Sequence, residues 1–148
     1  MVFVTVENIS SDSKIKLASL GNLAQKILRD FREKGGLNII FVSDDYMRDL
    51  NQRFTRRKGT SDVLSFSFSE NGSVGKGDKF LRGKRTLLGE VYISVEKARR
   101  QAEDYQVPFE QELRRLVAHG VLHLLGYEHK DKKDEQRMRK KEEEYIFS

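Results

Sequence analysis

Residues 13–42 read SKIKLASLGNLAQKILRDFREKGGLNIIFV, and the change of rhythm inside this stretch decides the fold. Between 13 and 34, Leu17, Leu20, Leu23, Ala24, Ile27, Leu28 and Phe31 recur at spacings of three and four. On a helix that spacing lines them up as a single apolar stripe. Gly35 and Gly36 then release the backbone into LNIIFV at 37–42, an apolar run short enough to be a buried strand. A striped helix and a buried strand need opposing layers, which points to helices laid against a sheet.

Working outward, residues 2–6 alternate and are rich in β-branched side chains, as in a strand. Ser43, Asp44 and Asp45 cap a helix in which Met47, Leu50 and Phe54 share a face. VLSFSF at 63–68 alternates as a half-buried strand, and 87–93 returns to the sheet. Residues 71–83, rich in glycine and lysine, read as a long exposed loop. Ser94 can cap a short helix ending near Tyr105. Val107 and Pro108 open the last major helix, where proline costs no hydrogen bond. Leu113, Leu116, Val117 and Leu124 form its core face, and Val121, Leu122 and Leu125 widen it. Residues 130–144 carry seven basic and six acidic side chains, so they read as a solvated helix touching the body through Met138, Tyr145 and Phe147. The expected architecture is one α/β or α+β domain over 1–148, with a four-stranded mixed sheet packed against several helices.

The formal charge is +5, and it is unevenly placed. Residues 53–85 hold nine basic and three acidic side chains, a local net of +6, so the remainder is close to neutral. A concentrated positive field suits a polyanionic partner. No cysteine is present, which excludes disulfides, iron–sulfur clusters and thiolate zinc sites. No apolar run approaches the roughly 20 residues that cross a bilayer, and the first ten residues lack a signal-peptide pattern. A cytoplasmic protein without a membrane partner is the simplest expectation.

All three histidines fall within HGVLHLLGYEH, residues 119–129. His119 and His123 are four apart, which on a helix sets both rings on one side. Gly126 can end the helix in a left-handed conformation and let the chain fold back with His129. Three neutral imidazoles form a zinc set with a fourth position open. The spacing matches the metzincin pattern H-E-x-x-H-x-x-G-x-x-H, but Gly120 stands where those proteases carry their general base. Peptide hydrolysis by that route is therefore disfavoured.

TSDVLSFSF at 60–68, LLGEVYIS at 87–94 and HGVLHLLGYEH, followed by Met138, together resemble the bacterial YbeY family over essentially the whole chain. The resemblance implies a metal-dependent endoribonuclease of single-stranded RNA, with one zinc per chain on His119, His123 and His129 at the end of a cleft. It also implies action in 16S rRNA 3'-end maturation and ribosome quality control, with the small ribosomal subunit and ribosome-associated proteins as partners. Nickel, cobalt and copper suit the same ligands. In the family, an arginine near the metal usually follows an aromatic residue. Here Asn51 and Phe54 match, but Thr55 occupies the arginine position, flanked by Arg53 and Arg56.

Arg56, then Arg53, are the candidates to stabilise charge developing on a phosphoryl group. Glu90, an acid between apolar residues in a strand, is the candidate proton acceptor, and Asp62 could orient a histidine or cap a turn. The cluster between Lys76 and Arg85 suits backbone phosphates. A ribosome-associated assembly factor with a structural metal is the alternative from another class.

Overall fold

The stripe becomes helix α1, Leu17–Asp30, and the apolar run becomes strand β2, Gly35–Val42, in a computed structural model describing residues 2–55, 59–68, 87–128 and 130–148. The helix starts at Leu17, the first residue of its stripe, and not at 13, and the chain before it is folded on Asp12. Asn8 Nδ2 donates to the Asp12 carbonyl at 2.6 Å, Lys14 N–H donates to Asp12 Oδ1 at 3.0 Å, and Arg99 pairs with the carboxylate.

The remaining described elements are β1 (Val2–Asn8), α2 (Asp44–Leu50), β3 (Val63–Ser67), β4 (Leu87–Ser94), α3 (Val95–Tyr105), α4 (Phe109–Leu124) and α5 (Lys132–Ile146). Ser43 and Ser94 cap α2 and α3 as expected, their side-chain oxygens accepting from Tyr46 and Lys97 N–H. The sheet runs β1-β2-β4-β3. β1, β2 and β4 are parallel, while β3 is antiparallel to β4, so the sheet is mixed. Its strand order could not be read from the sequence.

Strand alternation gives the sheet two different faces. Leu37, Ile39 and Phe41 of β2, with Val91 and Ile93 of β4, point to one face and pack with α1, α4 and α5 in the main core. On the other face, Ile40 and Val42 form a small cluster with Met47 and Leu50 of α2, flanked by Leu64 and Tyr92.

Two expectations are corrected. The helix after Ser43 does not carry Phe54 on its core face: a π-helical turn spans Asn51–Thr55, and its extra residue per turn leaves Phe54 64 % exposed. Nor is the last helix merely solvated. Met138, Glu142, Tyr145 and Ile146 of α5 are buried, whereas Phe147 is 79 % exposed. Arg114 of α4 holds the end of α5, donating to the Ile146 carbonyl at 2.6 Å and the Ser148 carbonyl at 2.7 Å. Tyr145 donates its hydroxyl to Asp30 at 2.8 Å and so ties α5 to α1. Among the described residues, no helix is long and apolar enough to cross a membrane.

Candidate metal centre

Helix α4 can approach the sheet because position 120 has no side chain. A Cβ there would fall 2.5 Å from Val91 Cγ1 and 3.2 Å from Val63 Cγ2. Ser65 Oγ fastens the contact by donating to the Gly120 carbonyl at 3.0 Å. The missing protease glutamate thus has a packing cause: a carboxylate side chain at 120 would have to occupy the volume of β4. Gly126 has φ 103, the left-handed conformation expected at this break, and Tyr127 N–H closes the turn on the Leu122 carbonyl at 3.1 Å.

His119 and His123 lie one turn apart on α4. His119 Nδ1 is 2.7 Å from Glu142 Oε2, and His123 Nδ1 is 3.1 Å from the Tyr127 carbonyl. Carboxylate and carbonyl oxygens only accept, so each Nδ1 must be the donor. In the neutral rings this places the lone pair on Nε2 in both histidines. Two imidazoles with matched tautomers and Nδ1 held by oxygen are the arrangement found around zinc-bound histidines.

Glu142 belongs to a buried chain of charges. Arg115, one turn before His119, donates from Nη2 to Glu112 Oε2 at 2.6 Å and from Nε to Glu112 Oε1 at 2.9 Å. Its Nη1 is 3.7 Å from Glu142 Oε1, and Gln101 of α3 donates to Glu112 at 2.6 Å. The hydrogen bond to Glu112 raises the Arg115 pKa above its ordinary value despite burial, so the guanidinium is a fixed cation. Among the described residues, one cation thus faces two buried carboxylates, and the negative charge of Glu142 is directed at His119. A cation on the far side of that ring would balance it, so the residues present fit a divalent metal.

His129, Arg56 and the Lys76 to Arg85 cluster lie outside the described residues, as does the loop expected at 71–83. Among the described residues, no group of three metal-binding side chains converges. The structure does not bring Glu90 to the histidines. Val91 faces α4, so its neighbour Glu90 points to the opposite face. There Glu90 Oε2 accepts from Asn38 at 3.1 Å and Oε1 from the Tyr92 hydroxyl at 3.0 Å. Burial, then the Glu90 charge, raises the Tyr92 pKa and keeps that phenol a donor.

Arg53 lies on the π-helical turn, exposed and paired with Asp49 at 3.3 Å. Thr55 Oγ1 donates back to the Asn51 carbonyl at 2.8 Å, and buried Asn51 donates to Ser61 Oγ at 3.0 Å and the Gly59 carbonyl at 3.2 Å. Asp62 caps its own turn, accepting from Val63 N–H at 2.8 Å. Its charge also acts on Arg115.

Glu142, Arg115 and Glu112 escaped the sequence reading. Glu142 lies four residues after Met138 and three before Tyr145, and so on the face that those two apolar residues define. Folded onto the body, this face carries the acid inward.

A family model described as Endoribonuclease YbeY matches residues 5–148. A protein named Endoribonuclease YbeY from Flavobacterium psychrophilum is 40% identical over 120 residues, covering 81% of this chain and 76% of its own length. One of the same name from Syntrophus aciditrophicus is 36% identical over 148 residues, covering 97% of this chain and 88% of its own. Among solved structures, the solution structure of TM1509 from Thermotoga maritima superposes with a TM-score of 0.66 at 28% identity, covering 97% of this chain and 87% of that one.

Proposed function

The chain belongs to the YbeY family of endoribonucleases, and we propose that it is a metal-dependent endoribonuclease selective for single-stranded RNA, acting in 16S rRNA 3'-end maturation and ribosome quality control. The observation that carries the metal reading is the pair His119 and His123, each donating Nδ1–H to an oxygen and so placing its lone pair on Nε2, the atom a metal would take. His119, His123 and His129 would hold one zinc. When bound, the zinc supplies Lewis acidity toward the scissile phosphodiester.

The protein's own part is to hold and orient. Glu142 and the Tyr127 carbonyl keep the two rings in place, and the contact of Gly120 with Val91 holds their helix on the sheet. Arg56 and Arg53 are assigned to the phosphate, where a guanidinium would offset charge developing on its oxygens. Positive charge between Lys76 and Arg85 would draw the RNA backbone without reading bases. Selectivity for single strands fits a site that needs an unpaired, bendable phosphodiester.

Cleavage of single- and double-stranded RNA by zinc-loaded protein, alongside His119→Ala and His123→Ala, tests this. Each variant should lose more than about 100-fold of the single-strand cleavage, since even changes to groups behind a metal ligand cost 10–100-fold. Full cleavage by both variants would sink the proposal. Metal content measured on the same samples should fall with activity.

A further inference from the structure

The route from α5 to His119 carries an inference about how the metal site is prepared, and it rests on the metal reading proposed above. Glu142 lies 23 residues away from His119 in the sequence, on a different helix, and is only 5 % exposed. Its two oxygens have separate tasks. Oε2 meets His119 Nδ1 at 2.7 Å, while Oε1 faces the Arg115 guanidinium at 3.7 Å. Arg115 is in turn fixed by two hydrogen bonds to Glu112, and Glu112 by Gln101. Helices α3, α4 and α5 therefore all contribute to the orientation of one imidazole.

We propose that Glu142 is a positioning residue that locks His119 as the Nδ1–H tautomer and thereby presents Nε2 as the ligand atom before any metal arrives. A solvated imidazole divides its proton between both nitrogens. A buried carboxylate at Nδ1 removes that choice, because a lone pair there would face another lone pair. Arg115 keeps the carboxylate in place, and the negative charge at Nδ1 raises the affinity of the ring for a cation. His123 serves as the internal contrast: its Nδ1 partner is the Tyr127 carbonyl of its own loop, which needs no help from α5.

The test is nitrogen-15 spectroscopy of the histidine rings in metal-free, full-length protein, with pH raised until the ring signals stop changing. Wild type should show His119 and His123 both protonated at Nδ1. In Glu142→Leu, which leaves Arg115 paired with Glu112, His119 should shift to the Nε2–H tautomer while His123 stays as it was. Zinc titrated into the same samples should bind roughly 10–100-fold more weakly to the variant.

Wild-type His119 carrying its proton on Nε2 overturns the proposal, and this measurement needs no variant to fold. So does a Glu142→Leu protein whose His119 tautomer and zinc affinity match wild type. Neither readout involves RNA, so failure to cleave RNA would count against the proposed activity alone. Wild type that bound no zinc would sink the metal reading, and the tautomer spectrum would still decide the role of Glu142.

Discussion

The two faces of the sheet are made from alternate residues of the same strands, yet they differ in kind. Under α1 and α4, Leu37, Ile39, Phe41, Val91 and Ile93 form a continuous dry layer, all fully buried. On the opposite face, α2 covers only a small cluster, and beside it lies a polar row in which Thr5, Asn38 and Glu90 hydrogen-bond in turn across β1, β2 and β4. The difference teaches where precision is needed. The histidines ride on the dry face, where close packing fixes α4 to within the tolerance of a metal ligand. On the polar face, Glu90 is satisfied by Asn38 and Tyr92.

The largest effects should come from breaking the dry face. Ile39→Ala removes a side chain from the main core and Ile40→Ala its neighbour from the small cluster. We expect losses of about 4 and about 2 kcal/mol respectively, toward opposite ends of the usual range for such truncations, measured by urea unfolding. Equal losses would mean that the two faces are equally packed. Gly120→Ala comes next. A methyl 2.5 Å from Val91 Cγ1 should overpack the contact and cost about 1–2 kcal/mol net, even though alanine is the better helix former. A stabilised variant would show that α4 can lift off the sheet.

A smaller effect is expected at Asp44, which joins α2 to α3. It accepts from Ser94 Oγ at 2.5 Å and from Arg100 at 2.8 Å. Burial opposes its ionisation, but these hydrogen bonds outweigh it and hold the carboxyl below its ordinary 3.8. A depressed folded value stabilises the protein above the unfolded pKa and is lost as pH falls through the folded one. Asp44→Asn should therefore cost about 1 kcal/mol at neutral pH, and the gap from wild type should close in the acid range below 3.8. A gap that widened toward acid would reverse this sign. The smallest effect on catalysis belongs to Glu90→Gln, which should leave RNA cleavage at the wild-type level because the side chain faces away from α4. A large loss of turnover would place Glu90 in the chemistry after all.

These contrasts also mark how far the sequence could be read. Local signals fixed α1, β2, the Ser43 and Ser94 caps and the break at Gly126, since each depends on neighbours within one or two turns. The parity of β4 was not legible. In LLGEVYIS, the even positions Leu88 and Tyr92 and the odd positions Leu87, Val91 and Ile93 are all apolar, and a register shift against β2 places Leu88 with the main core, so alternation alone could not say which way Glu90 points. The π-helical turn after α2 was hidden for a related reason: Met47, Leu50 and Phe54 fit an unbroken α-helix, and only tertiary packing turns Phe54 outward. The family of the chain was legible, as were His119 and His123 as a pair. Glu142 was not, because its partner lies 23 residues away on another helix.

Gly120 has a consequence for ancestry and design. Glycine and glutamate are one nucleotide apart in the genetic code, so a hydrolytic H-E-x-x-H helix looks like a near neighbour of H-G-V-L-H. The proximity of Val91 closes that path: the substitution would wedge the helix away from the sheet before it could supply a base. A designer seeking peptidase chemistry on this scaffold would have to begin by carving space out of β4, and only then write the glutamate.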